Sequence, residues 1–181
     1  MRIVPRLLPA LFAAVLPFAA FAVGSDDTQP PAPTETTTKC DKGLIWDEKT
    51  KACVAPQESR LDDDTRFGAV RELAYAGRYD EAMTVLSAMT EGDSDRVLTY
   101  RGFILRKSGH VEDGIAAYEA ALAKNPGNIL THSYYGQLLV EMNELDAARA
   151  HLAAIRNHGG TGTWAELALA RAIDTGLTYT F

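Results

Sequence analysis

The chain has 181 residues, 46% of them hydrophobic, with 18 basic and 24 acidic side chains and a net charge of -6. That length and apolar content allow one modest core, and the acidic balance excludes nucleic acid as the default partner. With 14 Gly, 8 Pro and two Cys, neither a collagen-like nor a disulfide-dense scaffold is implied.

Residues 1–22 read as an export signal. Arg2 and Arg6 supply a positive start, residues 7–19 form an apolar run, and Ala20-Phe21-Ala22 places small residues at both recognition positions of a signal peptidase. Cleavage falls after Ala22 or, alternatively, after Gly24. The run is broken by Pro9 and Pro17 and is shorter than the roughly 20 residues a bilayer span needs. Removal takes away two Arg and no acid, so 18 − 2 = 16 basic against 24 acidic groups leaves -8. Cys40 follows Thr-Thr-Lys, not small apolar residues, which argues against a lipid anchor there. The expected product is soluble and periplasmic or secreted, with no stable membrane insertion after cleavage.

Residues 23–39 are polar and carry three prolines, a composition that does not repay the entropy of ordering, so a flexible, disordered linker is expected. Residues 40–54 follow as a small hairpin. Cys40 and Cys53 bracket Gly43, the apolar Leu44-Ile45-Trp46 and a turn-like 47–50, and export favours a disulfide between them. The pattern Cys, Gly-Leu, aromatic, Cys is similar to about fifteen residues of peritrophin-type chitin-binding modules. That resemblance implies a glycan contact through Trp46; the alternative is that Trp46 packs on the disulfide or on the next domain. Two cysteines alone lack the ligand set of a zinc site.

A second polar linker, 55–64, leads into a helical pattern over residues 65–174. Phe67, Val70, Leu73 and Ala74 share one face, and Tyr79, Ala82, Met83, Leu86 and Met89 mark a partner helix. In the stretch 95–126, counted from Asp95, Gly102 is eighth, Tyr118 twenty-fourth, Ala121 twenty-seventh and Pro126 thirty-second. Small residues at Gly102, Gly114 and Ala121 let two helices approach closely, and Leu98, Leu105, Ile115, Tyr118 and Leu122 fill the space around them. This stretch resembles a tetratricopeptide repeat. Ala82 to Gly114 is 32 residues and Gly114 to Ala148 is 34, against about 34 for the family, and the shortfall is placed in the loop 90–93. The third unit ends at Gly160, where the family has proline.

Thr163 with Glu166 forms a capping-box pattern opening a last helix, whose Trp164, Leu167, Ala168, Ala170 and Ile173 face the third repeat. The expected fold is all-α: three helix-turn-helix repeats plus a C-terminal capping helix in a short right-handed solenoid, with a tail at 175–181. Asp62-Asp63-Asp64 reads as a solvated helix N-terminus.

No catalytic constellation emerges, and neither a cofactor nor a metal is expected. His110, His132, His151 and His158 are scattered, the loop 159–162 has no Lys-Ser or Lys-Thr after it, and Ser87, Ser108 and Ser133 lack a strand-turn-helix context. The resemblance implies that the first helix of each unit lines a concave groove. Counted onto this chain, that face carries Phe67, Arg71, Tyr75, Arg96, Thr99, Phe103, Arg106, Lys107, Ser133, Gln137 and Glu141. Arg71, Arg96, Arg106 and Lys107 among aromatic rings suit an acidic or C-terminal peptide; alternatively they pair with nearby acids such as Glu72 or Glu112. The expected function is a non-enzymatic scaffold of the bacterial cell envelope holding a peptide or protein partner. The alternative is a cell-wall or glycan-directed adaptor using the Cys40–Cys53 hairpin.

Overall fold

The computed structural model describes residues 29–178, so the expected export signal, the start of the expected linker and the last three residues lie outside it. Within these residues the order is α1 (Glu35–Lys39), β1 (Ile45–Asp47), β2 (Ala52–Val54), α2 (Asp63–Tyr75), α3 (Tyr79–Leu86), α4 (Asp95–Lys107), α5 (Val111–Lys124), α6 (Ile129–Glu141), α7 (Leu145–Asn157) and α8 (Trp164–Thr175). None of these helices is long and apolar enough to cross a membrane.

The helices alternate between two kinds of start. The inner ones, α2, α4, α6 and α8, open on Asp62, Ser94, Asn128 and Thr163, whose side-chain oxygens accept from the backbone N–H three residues on. The outer ones, α3, α5 and α7, have no side-chain cap. Each instead follows a tight turn through the left-handed region, at Gly77 (φ 74°), Gly109 (φ 87°) and Asn143 (φ 64°), a conformation that glycine and asparagine tolerate. These turns recur at the same 32- and 34-residue intervals as the small core positions.

Outer and inner helices pair as α2 with α3, α4 with α5 and α6 with α7, and α8 closes on α6 and α7. A Cβ on Gly102 would stand 2.6 Å from the Tyr118 ring and 3.1 Å from the Gly114 carbonyl, so only glycine permits this approach of α4 to α5. One aromatic-rich core runs through the first two repeats into α6, and a second, around Leu139, Ala148, Ile155 and Leu169, joins α6, α7 and α8.

The two-residue shortfall of the first repeat takes a different form from that expected. α3 has only 8 residues, against 14 in α5 and 13 in α7, while the connection to α4 is lengthened. Asp63 draws that connection back to α2, accepting from Thr90 N (2.7 Å), Thr90 Oγ1 (2.8 Å) and Glu91 N (2.8 Å). Asp63 is therefore an anchor, while Asp62 and Asp64 are the exposed members of the acidic trio.

Two expected linkers are ordered where the structure describes them. Residues 29–39 lie against α2, with α1 as a single turn capped by Thr34. Residues 55–64 are held by Arg66, 5% exposed, which donates to the Pro56 carbonyl (2.8 Å) and the Glu58 carbonyl (3.1 Å), while Leu61 enters the core. Polar composition hid both, because most of the holding contacts are made by a buried guanidinium and a carboxylate on α2, with Leu61 the one core side chain from the second linker.

The hairpin pairs β1 and β2 antiparallel, Trp46 opposite Cys53, and Cys40 is disulfide-bonded to Cys53. Ile45 is 1% exposed and belongs to the main core. Gly43 N donates to Glu81, and Arg78 donates to the Cys40 carbonyl at 2.8 Å, so the hairpin is fastened to α3. Since each repeat can bury its face only on a neighbour, the hairpin supplies the first repeat with an N-terminal cap.

Candidate functional site

The residues expected to line an open groove are brought together, but mostly in the interior. Phe67, Tyr75 and Phe103 are each at most 8% exposed. With Tyr100, Tyr134 and Trp164 they make a chain of ring contacts, including Phe67 to Tyr100 at 5.2 Å, Phe103 to Tyr134 at 4.8 Å and Tyr75 to Trp164 at 6.3 Å. The last contact joins the first repeat to the capping helix, so the inner face curls onto itself. Burial pushes the Tyr75 and Tyr134 hydroxyls far above the usual tyrosine range. The two hydroxyls bond each other.

Polar members of the set are used internally as well. Thr99 Oγ1 meets Thr131 Oγ1 at 2.6 Å across α4 and α6, Gln137 donates to Ser133 at 3.3 Å, and Ser133 donates to the Ala165 carbonyl at 2.7 Å. Arg106 is 5% exposed and forks onto Glu141 (2.8 and 2.6 Å) while donating to the Tyr134 carbonyl (2.9 Å). Lys107 Nζ stands 3.8 Å from the same carboxylate. Burial and the neighbouring Arg106 charge lower the Lys107 amine, with Glu141 opposing them. Arg71 donates from Nε to Tyr100 (3.3 Å). The basic surface expected for an acidic peptide is thus largely spent on the protein's own acceptors, because partners distant in sequence reach the same space.

Arg96 is the exception in position. Its side chain retains 30% exposure while pairing with Asp64 (2.8 Å) and Glu91, and its guanidinium lies 4.8 Å from the centre of the Phe67 ring. Beside it opens a cavity of about 350 Å³ bounded by Phe67, Asp95, Arg96, Tyr100, Asn128 and Leu130. The volume lies at the lower end of small-ligand pockets and suits one or two large side chains. At its rim Asp95 accepts from Asn125 (2.7 Å) and Asn128 (2.9 Å). Burial raises the Asp95 carboxyl, but the bonds from the two amides outweigh it and hold the group below the usual carboxylate range. Asp95, Asn128 and Leu130 are not among the site residues expected from the sequence; the N-cap position of Asn128 at α6 is the signal that could have placed it here.

Trp46 is half-buried, and the Lys39 ammonium stands 4.7 Å over its ring, so that face is not open for stacking on a sugar. The histidines are less scattered than expected: His132, 8% exposed, bonds His151, and its ring stacks at 6.3 Å on His158. Among the described residues no group of three or more His, Cys, Asp or Glu is arranged to hold a metal ion.

Residues 105–172 match the tetratricopeptide repeat family model. The matched stretch runs from the last residues of α4 into α8, so it takes in α5, the third repeat and most of the cap, while most of α4 lies outside it. No curated protein and no solved structure matches the chain. The first repeat lies outside the match, and its kinship with the others rests on the recurring caps and left-handed turns.

Proposed function

We propose that this chain is a non-enzymatic interaction module of the bacterial cell envelope that holds a peptide or protein partner on its inner-helix face. Tetratricopeptide repeats generally serve protein–protein contact, and the match over 105–172 supports that role here. The observation that carries the reading is the cavity between α2, α4 and α6. It lies beside the partly exposed Arg96, and it combines an apolar floor with the charged rim of Arg96 and Asp95. Such a combination takes an apolar anchor from a partner and fixes its orientation through the rim. The envelope location is supported by the export pattern of residues 1–22 and by the joined Cys40 and Cys53.

The test is crosslinking in the native envelope with identification of the captured protein, comparing wild type with Arg96→Glu. Reversal places a carboxylate beside Asp64 and Glu91 at the cavity mouth, and capture should fall at least about tenfold while the helical signal is retained. Capture at wild-type yield would remove the cavity from the binding surface.

A further inference from the structure

The α2 side of the inner face already holds a peptide, the chain's own residues 29–37, irregular up to Thr34 and helical from Glu35. Glu72, 6% exposed, takes four hydrogen bonds from it: Thr34 N (2.6 Å), Thr34 Oγ1 (2.6 Å), Thr37 N (3.1 Å) and Thr37 Oγ1. One residue earlier on the same helix, Arg71 donates from Nη2 to the Gln29 carbonyl. The Arg78 guanidinium takes the Thr37 carbonyl at 3.2 Å. The Glu72 carboxylate caps the start of α1, taking the N–H and hydroxyl of both Thr34 and Thr37, while guanidinium groups take the Gln29 and Thr37 carbonyls.

Apolar packing beneath the segment is poor. Pro30 and Pro33 are exposed, and open clefts of about 330 Å³ and 250 Å³ flank the segment, both touching Pro31 and Glu72, the larger one shared with Ile45 and Trp46 of the hairpin. Here the holding groups are polar, and the apolar room beside Tyr75, Ala76, Gly68 and Ala69 is left over.

We propose that residues 29–37 occupy a peptide-binding surface in cis. Its partner is a segment that opens a helical turn, with threonine- or serine-type donors three residues apart for Glu72, a carbonyl upstream for Arg71 and aliphatic side chains large enough to fill the two clefts. The proposal shares with the functional reading only the placement of binding on the inner-helix side. The chain's own segment competes through an effective concentration set by its tether, so a free peptide of the same sequence is disfavoured until the cis contacts are weakened.

The experiment uses the full chain and, as probe, a fluorescent peptide with the sequence of residues 28–39, followed by anisotropy. In a Thr34→Val/Thr37→Val protein, two hydroxyl bonds to the carboxylate are lost in cis but remain available to the peptide. That protein should bind the probe about tenfold or more tighter than wild type does. A probe carrying Pro31→Leu should bind tighter still, and adding Glu72→Gln to the protein should remove the gain. Circular dichroism checks that α2 to α8 are retained in each variant. Equal affinity of wild type and the double variant, no binding to either, or a gain that survives Glu72→Gln overturns the proposal and leaves the segment as a fixed cap. Arg96 and the native partner take no part in this assay, so its failure is distinguishable from failure of the cavity as a partner site.

Discussion

His132 on α6 and His151 on α7 face each other through their Nδ1 atoms at 2.8 Å. His132 Nε2 lies 3.0 Å from the Pro126 carbonyl, which can only accept, so Nε2 carries the proton and Nδ1 of His132 is the acceptor. His151 therefore donates from Nδ1. The neutral pair is complete, and a second proton between the rings would set two N–H groups against each other.

Acid should accordingly loosen the third repeat. Burial lowers the His151 imidazole to about 4, with the His132 ring adding to the shift, and burial also lowers His132, with His158 contributing through its charge. Native values below the unfolded value of about 6.5 mean that the unfolded chain binds more protons between the two. Stability is full above about pH 6.5 and declines as pH falls toward 4. Allowing for solvent at half-buried His151, the loss should be on the order of 1 kcal/mol, read as the urea midpoint against pH. His151→Gln should flatten that part of the profile; an unchanged slope would show that the pair does not titrate with folding.

The small positions should dominate the response to added volume. Leu at Gly102 has no room against Tyr118 and the Gly114 carbonyl, and Leu at Ala148, fully buried, meets the second core. Each should cost about 1–3 kcal/mol in thermal or chemical denaturation, whereas Leu at exposed Glu119 should change little. Equal melting temperatures for the three would mean that these helix contacts do not carry the fold.

Charge reversal at Arg96 and at Arg106 should separate binding from folding. Arg96 is partly exposed and its acids are near water, so Arg96→Glu should cost about 1 kcal/mol or less. Arg106→Glu instead buries a carboxylate facing Glu141 and strands the Tyr134 carbonyl. A loss of about 3–5 kcal/mol or failure to fold is expected. Similar midpoints for the two variants would contradict the burial of the Arg106 fork.

These two arginines also show where sequence reasoning reaches its limit. Gly102, Gly114 and Ala148 were legible because close helix packing demands small side chains at fixed intervals, and the interval survives in a one-dimensional pattern. The fate of a long polar side chain is not so constrained. Arg106 ends on Glu141 and Arg96 on Asp64, acids 35 and 32 residues away, and Glu72 receives residues 34–37 across a similar distance. A basic stripe on a helix and a basic stripe facing solvent are therefore the same string of letters. The three-dimensional return of the carboxylates decides between them.

The disulfide offers the last test, because the hairpin is tied to the helices by more than sequence adjacency. Cys40 and Ile45 are each 1% exposed, Ile45 lies in the main core, and Arg78 and Glu81 on the α3 side hold the Cys40 carbonyl and Gly43 N. A bridge over a separation of 13 residues restricts the unfolded chain by an amount worth about 3 kcal/mol on the loop-entropy account. If the hairpin unfolds with the repeats, a Cys40→Ser/Cys53→Ser protein should show one cooperative urea transition with its midpoint lowered by a corresponding amount. Its slope should not fall, since opening the loop does not reduce the surface exposed on unfolding. Loss of the cap would also bare Ile45, Leu61 and the first turns of α2, so hydrogen exchange should accelerate there before it does in α6 to α8. A helical transition whose midpoint is unmoved, with exchange changed only within residues 40–54, would instead make the hairpin an appendage that folds beside the repeats and does not close them.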